Sequence, residues 1–282
     1  MKVVHLPRTL AELWPLLEQE PPGRMYCGGT DLLVQMRSGE VDPAALICLE
    51  RIEDLQGVRE EHDCLWIGAG TTHTSLLNHS LVGWRLPILV KALETLGSPL
   101  IRNMGTIGGN ICTASPAGDT LPPLYILDAE VTLRSRERAR TMSLQAFITG
   151  PGRTQLAGGE ILAGIRVKIP EGYNVHHFEK VGQRRALACA IASMAAMLRV
   201  SSSGVIEAAH LAWGSVGPTV VTSTAVEESL IGEKLSQDTL DKVAGLVRHA
   251  VSPIDDIRAS SDYRREVSGN LLLRLAAGPL VF

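Results

Sequence analysis

An α+β fold of about two domains is predicted by three observations. Strand-like and helix-like segments are mixed along the 282 residues without strict alternation, which argues against a doubly wound sheet. The middle of the chain places an apolar strand pair around the charged run "RSRER" (134–138), as a hairpin does. The last third sets three apolar strand-like runs ahead of two capped helices.

The elements follow in order. Residues 9–20 carry Leu10, Leu13, Leu16 and Leu17 at helical spacing, with Thr9 as N-cap. Pro15 fits there only within the first turns, and "PPG" (21–23) ends the helix. "MYCGGTDLLVQMRSG" (25–39) reads as strand, glycine turn and short helix. "AALICLE" (44–50) and "CLWIGAGTT" (64–72) read as strands, the second running into a polar turn. "SLLNHSLVGWRLPILVKALETLGS" (75–98) reads as helix, break, helix. "EVTL" (130–133) and "ARTMSL" (139–144) form the hairpin, its charged tip solvated, and "EILAGIRVKIP" (160–170) is a strand ending at a proline. A boundary falls near "IPEGYN" (169–174), and three domains are expected: 1–57, 58–172 and 173–282. The third opens on strands at "HHFEKVG", "ASMAAMLRV" and "EAAHLAWGSV". Two helices follow, one capped by Ser236 or Asp238 and one by Ser260, the latter stopping at Gly278 and Pro279.

Composition excludes several classes. Apolar residues make up 45%, charged residues 20%, and the net charge is −3, which draws neither nucleic acid nor an anionic membrane. Only 4% of residues are aromatic, too few for a base-stacking surface. No apolar run is long enough to span a bilayer, and no signal peptide is read at the N-terminus. Cysteines stand at 27, 48, 64, 112 and 189, an odd number with the closest pair, Cys48 and Cys64, sixteen positions apart. That spacing fits no disulfide framework, zinc motif or local iron–sulfur run, and a reducing cytoplasm is expected.

"IRNMGTIGGNICTASPAGDTLPPL" (101–124) is the stretch that asks for a function. It is too polar for a core strand and too rich in Gly and Pro for a helix interior, so a loop is expected. Its "GTIGGN" (105–110) and the earlier "CGGTDL" (27–32) match neither the GxGxxG fingerprint nor a P-loop. Paired glycines still let backbone N–H groups approach a phosphate, and positive φ is expected at Gly109. Thr30, Thr106 and Asn110 add side-chain donors, and two such turns suit the two sides of a pyrophosphate. Asp119, acceptor-only when ionised, suits sugar or polyol hydroxyls.

"CGGTDLLVQMRSG", "IRNMGTIGGNICTASPAGDTLPPLYILDAEV", "FEKVGQRRALACAIAS" and "SDYRREVSGNLLLRLA", in this order, resemble the FAD-binding medium subunit of the molybdenum hydroxylases. The resemblance runs over nearly the whole chain. It implies two FAD-binding subdomains of the vanillyl-alcohol-oxidase type, a small C-terminal α/β domain and non-covalent FAD. In that family's pattern, 27–31 (Cys27, Gly28, Gly29, Thr30, Asp31) and 106–110 (Thr106, Ile107, Gly108, Gly109, Asn110) contact the pyrophosphate. Met25, Tyr26 and Leu32 flank the first turn, and Ile101, Cys112 and Thr113 flank the second. Asp119 is implied on the ribityl or ribose hydroxyls, Lys180 beside the isoalloxazine, and Leu162 packed on the flavin. The implied role is an electron relay: a molybdopterin-binding large subunit oxidises substrate, a small subunit with [2Fe–2S] clusters passes electrons on, and FAD here delivers them to NAD⁺ or another acceptor.

Two departures from the family pattern stand out. Cys27 replaces the usual Ala, and Ala188 and Cys189 replace a usual Asp-Ile, which bears on the acceptor. His73, His79, His176 and His177 read as ordinary surface or capping residues, and the cysteine spacing excludes the cluster-bearing loop of the 4-hydroxybenzoyl-CoA reductases. The rival readings are a stand-alone flavoenzyme, for which the C-terminal segment shows no acid or base, and a flavin-free scaffold, against which the glycine turns and Asp119 speak.

Overall fold

The computed structural model describes residues 2–21, 23–184 and 188–276. The stop at Gly278 and Pro279 and part of the "GQRRAL" run therefore lie outside the described residues. In chain order the elements are β1 (Val3–His5), α1 (Leu10–Leu17), β2 (Arg24–Tyr26), α2 (Leu32–Arg37), β3 (Ala45–Cys48), β4 (Val58–Glu61), β5 (Cys64–Gly68), α3 (His73–Leu77), α4 (Ser80–Arg85), α5 (Pro87–Thr95), α6 (Pro99–Met104), α7 (Ile107–Thr113) and α8 (Leu121–Ile126). Then come β6 (Glu130–Arg134), β7 (Ala139–Ser143), α9 (Leu144–Phe147), β8 (Ile148–Gly150), β9 (Arg153–Thr154), β10 (Ile161–Lys168), β11 (Val175–Val181), β12 (Ala192–Val200), β13 (Ile206–Gly214), β14 (Val221–Thr222), α10 (Thr224–Leu230), α11 (Gln237–Ala250) and α12 (Ser261–Leu273).

The chain divides into two compact units. The first takes Met1–Val82, Ser98–Ala114 and Asp128–Lys168. The second takes Gly83–Gly97, Ser115–Leu127 and Ile169–Phe282.

The first unit holds a parallel three-stranded sheet in the order β1-β3-β2 and a five-stranded antiparallel sheet in the order β4-β5-β10-β6-β7. A core of Leu10, Leu13, Trp14, Ile47, Ile52, Leu55, Trp66, Ile161 and Ala163 lies within it. Thr9 caps α1 by accepting from Glu12 N, and Leu10 and Leu13 point into that core, as the helical spacing predicts. Pro15 lies in the second turn, beyond the first-turn position where its missing N–H would be harmless, and the helix continues through it to Leu17. The hairpin is β6 with β7, Glu130 facing Ser143 and Arg134 facing Ala139.

The second unit is built on the antiparallel sheet β11-β12-β13-β14. β12 is buried along nearly all its length because helices cover both faces: α12 packs on it from one side, α5 and α8 from the other. This explains its almost unbroken apolar run. Ser236 and Ser260 cap α11 and α12 through their hydroxyls.

The stretch 101–124 departs from expectation. It is largely helical: α6, α7 and α8 lie in or across it. Ser98 and Thr106 accept N-cap hydrogen bonds from Ile101 and Gly109, and prolines occupy the first turns of α6 and α8. The segment 75–98 contains parts of three helices in place of two, and β1, β4, β14 and α10 are elements beyond those the sequence pattern predicts.

Candidate functional site

In the first unit the two glycine turns meet. Gly28 and Gly29 take φ of +74° and +66°, a left-handed pair that suits glycine. A Cβ at Gly28 would stand 1.9 Å from the Met104 carbonyl oxygen, so this residue is where the first turn lies against the end of α6. Thr113 Oγ1 donates to Asp31 Oδ2 at 3.0 Å, and the Cys27 thiol is hydrogen-bonded to Thr106. Met25 and Tyr26 in β2 and Leu32 at the start of α2 frame this turn; Cys112 and Thr113 close α7.

The backbone donors differ between the turns. Gly28 N donates to Glu50 Oε1 at 3.0 Å. The next amides, on Gly29, Thr30, Asp31 and Leu32, have no acceptor among the described residues. Around the second turn Ile107 N donates to Thr71 O, Gly108 N to Ala69 O, Gly109 N to the Thr106 hydroxyl and Asn110 N to Thr106 O. The first turn therefore leaves a run of amides open, whereas the second is pinned by its own hydrogen bonds. Gly108 and Gly109 are not among the positive-φ glycines, which corrects the expectation at Gly109. Their smallness serves packing instead: a Cβ at Gly108 would come within 2.5 Å of the Ala69 Cβ, and at Gly109 within 3.0 Å of Thr106 Oγ1.

Electrostatics keeps this region uncharged on its thiols. Burial first, moderated by the bond to Thr106, pushes the Cys27 thiol up to about 12, and burial pushes Tyr26 up to about 12. Cys27 is thus a packed thiol, not a thiolate nucleophile. Ile101 is exposed on α6. Leu162 is buried in β10 opposite Leu133, at an irregularity before Gly164. Its neighbour Ala163 accepts from Ala69 N, so the strand and α7 share one anchor. His73 corrects another expectation: it is 3% exposed, and burial, then Arg102, lowers it to about 4.

In the second unit Asp119 and Lys180 come together, although the family resemblance implies different parts of the flavin for them. Lys180 Nζ donates to Asp119 Oδ2 at 2.6 Å, with the side chains 11% and 9% exposed. The topology explains the meeting. Lys180 on β11 faces Ser193 on β12, which faces Gly214 on β13. A Cβ at Gly214 would stand 2.5 Å from Ser193 Oγ and 3.0 Å from Pro122 Cγ, so a glycine there lets α8 and the loop before it settle on the sheet and bring Asp119 to Lys180. Burial raises the Asp119 carboxyl, opposed by the Lys180 charge. Its second oxygen, Oδ1, is buried with no hydrogen-bond partner among the described residues, an acceptor awaiting a donor.

Each unit by itself offers groups of a distinct chemistry. Open amides at a left-handed glycine pair suit a pyrophosphate, and an orphaned buried carboxylate oxygen suits hydroxyls. Sequence reasoning missed Glu50, the 69–71 segment that pins α7, and Ser193 and Gly214. "GAGTT" (68–72) was a visible signal for the second of these.

Comparison with known proteins agrees. The family described as FAD binding domain in molybdopterin dehydrogenase matches residues 1–171, and the CO dehydrogenase flavoprotein C-terminal domain matches 177–277. The chain is 32% identical over 265 residues to the nicotinate dehydrogenase FAD-subunit of Eubacterium barkeri, covering 92% of this chain and 90% of the relative. It is 32% identical over 259 residues to the glyceraldehyde dehydrogenase medium chain of Sulfolobus acidocaldarius, covering 92% and 91%. A crystal structure of quinoline 2-oxidoreductase from Pseudomonas putida 86 superposes with a TM-score of 0.93 at 26% identity, covering 98% of this chain and 96% of that one. The chain belongs to the FAD-binding medium subunits of the molybdenum hydroxylase family. It is the flavoprotein subunit of a multi-subunit oxidoreductase. Among the described residues no helix is long and apolar enough to cross a membrane.

Proposed function

We propose that this chain relays electrons within a molybdenum-dependent dehydrogenase, receiving them from [2Fe–2S] clusters on a small subunit and delivering them to NAD⁺ or another acceptor. Substrate oxidation then belongs to a molybdopterin-binding large subunit, as the name "medium chain" of its relative suggests. Bound FAD would supply the change between two-electron and one-electron transfer. Non-covalent binding fits His73, buried and held neutral, and the packed thiol of Cys27.

The residues divide the work. In the first unit the amides of Gly29, Thr30, Asp31 and Leu32 would take the pyrophosphate, with Cys27, Gly28 and the wall from Thr106 to Asn110 shaping the cradle. Met25, Tyr26, Ile101, Cys112, Thr113 and Leu162 complete that unit's share. In the second, Asp119 Oδ1 would accept from ribityl or ribose hydroxyls. Lys180 would balance the Asp119 charge and present a cation that favours an electron-rich ring. We further assign 1–57 and 58–172 as the FAD-binding subdomains, 173–282 as the flavoprotein C-terminal domain, and a reducing cytoplasm as the setting, since all five cysteines are free.

The observation that carries the proposal is the run of unpaired amides from Gly29 to Leu32. It is tested by titrating flavin-free protein with FAD and with FMN. FAD is expected to bind more than tenfold tighter, because only it offers a pyrophosphate. Equal affinities would remove the cradle from the proposal.

A further inference from the structure

The C-terminal motif "SDYRREVSGN" (261–270) resembles the family, yet none of its residues belongs to the flavin site described above. Its Arg264, on α12, has a side chain only 4% exposed. Arg264 Nη1 donates to the carbonyls of Ile191 at 2.7 Å and Ser215 at 3.0 Å, and Nη2 donates to Asp256 Oδ1 at 2.7 Å.

Each carbonyl leads to one half of the Asp119–Lys180 pair. Ser215 N donates to Pro116 O at 2.8 Å, three residues before Asp119. Ile191 N donates to Val181 O at 2.7 Å, the residue after Lys180. Ser215 also takes φ of +66°, a left-handed conformation that a side-chain-bearing residue keeps only when its surroundings impose it. A planar guanidinium is suited to the task, since its donors diverge in a fixed fork. Asp256 orients that fork, and two backbone N–H groups, from Arg258 and Ala259, orient Asp256 in turn.

We propose that Arg264 is a positioning residue that holds the Asp119 loop and the end of the Lys180 strand in register, so that carboxylate and ammonium meet. The link to flavin rests on the reading of Asp119 and Lys180 given above; the positioning itself does not.

The test uses the full flavin-free chain as wild type, Arg264→Met and Trp213→Phe. Trp213 Nε1 donates to Ser268 O, so the last variant loosens α12 through atoms outside the fork. Amide hydrogen exchange is read at Gly118, Ile191 and Ser215 and, for comparison, at Val243 and Ala244 in α11. Arg264→Met is expected to speed exchange at the first three at least tenfold more than in α11, and Trp213→Phe to show no such selectivity. Exchange that rises no more at those three than in α11 would overturn the proposal and leave Arg264 a general anchor of α12. Should Arg264→Met not fold, Arg264→Lys reads the same amides with the same selectivity expected, because one ammonium replaces a fork. FAD titration separates the two claims. Weakening by tenfold or more, less than additive with Asp119→Ala, supports both. Selective exchange with unchanged FAD affinity keeps the positioning role and sinks the flavin role of Asp119 and Lys180.

Discussion

Asp119→Ala perturbs stability and binding together, and a second substitution pulls them apart. The carboxylate is 2.6 Å from the Lys180 ammonium, and both side chains are about nine-tenths buried. Removing one partner strands the other charge, which costs about 3–5 kcal/mol. At roughly 2–4 °C per kcal/mol for a unit of this size, the melting temperature should fall on the order of 10 °C. Removing both partners, in Asp119→Ala with Lys180→Met, leaves no stranded charge, and stability should return to near the wild type. FAD affinity should not return. Hydrogen bonds from flavin hydroxyls to Oδ1 would be charge-assisted, and their loss would cost about 1.5–3 kcal/mol, or from about tenfold to over a hundredfold in Kd. The assay is a thermal melt and an FAD titration on the wild type, each single variant and the double. If affinity recovers with stability in the double variant, the carboxylate serves the fold alone and the binding role is refuted.

Two further outcomes follow from the first unit. Gly28→Ala sets a Cβ 1.9 Å from the Met104 carbonyl at φ of +74°, costing roughly 2–4 kcal/mol, and should abolish flavin retention; Gly39→Ala, at φ of +76° with open space around it, should lose only about 1 kcal/mol and purify yellow. A yellow, fully loaded Gly28→Ala would show that the cradle tolerates a side chain. Glu160 accepts from Nε and Nη2 of Arg140, each at 2.8 Å, and these bonds lower it from its ordinary 4.5 to about 2. A carboxyl depressed on folding stabilises above its unfolded value and stops doing so as pH falls through its folded one. Glu160→Gln should therefore be less stable than wild type at neutral pH, with the gap closing between pH 4.5 and 2 in acid melts; a gap constant across that window would contradict the ion pair.

What the sequence revealed was chemistry held in local motifs. The strand, glycine turn and helix at 25–39 stand as read, because Gly-Gly after an apolar strand has few other solutions. The caps at Thr9, Ser236 and Ser260 were legible for the same reason. The helicity of 101–124 was hidden because glycine depresses helix propensity, although Ser98 before Pro99 and Thr106 before the glycines signalled two N-termini. The Asp119–Lys180 pair was out of reach because 61 positions separate the partners and only the register of β11, β12 and β13 brings them together. Gly28 and Gly108 look alike in sequence and differ in cause: one needs positive φ, the other lies too close to Ala69.

The most direct test of the relay is to express this chain alone and with a molybdopterin-binding subunit and a [2Fe–2S] subunit, then follow flavin absorbance after adding the substrate of the assembled enzyme. Alone, the chain should bind FAD and leave it oxidised in the presence of that substrate. With both partners, the flavin should bleach within the time of turnover and recover when an acceptor is added. Bleaching by the chain alone, or a flavin that stays oxidised in a fully assembled and active complex, would contradict its place as the electron-carrying subunit.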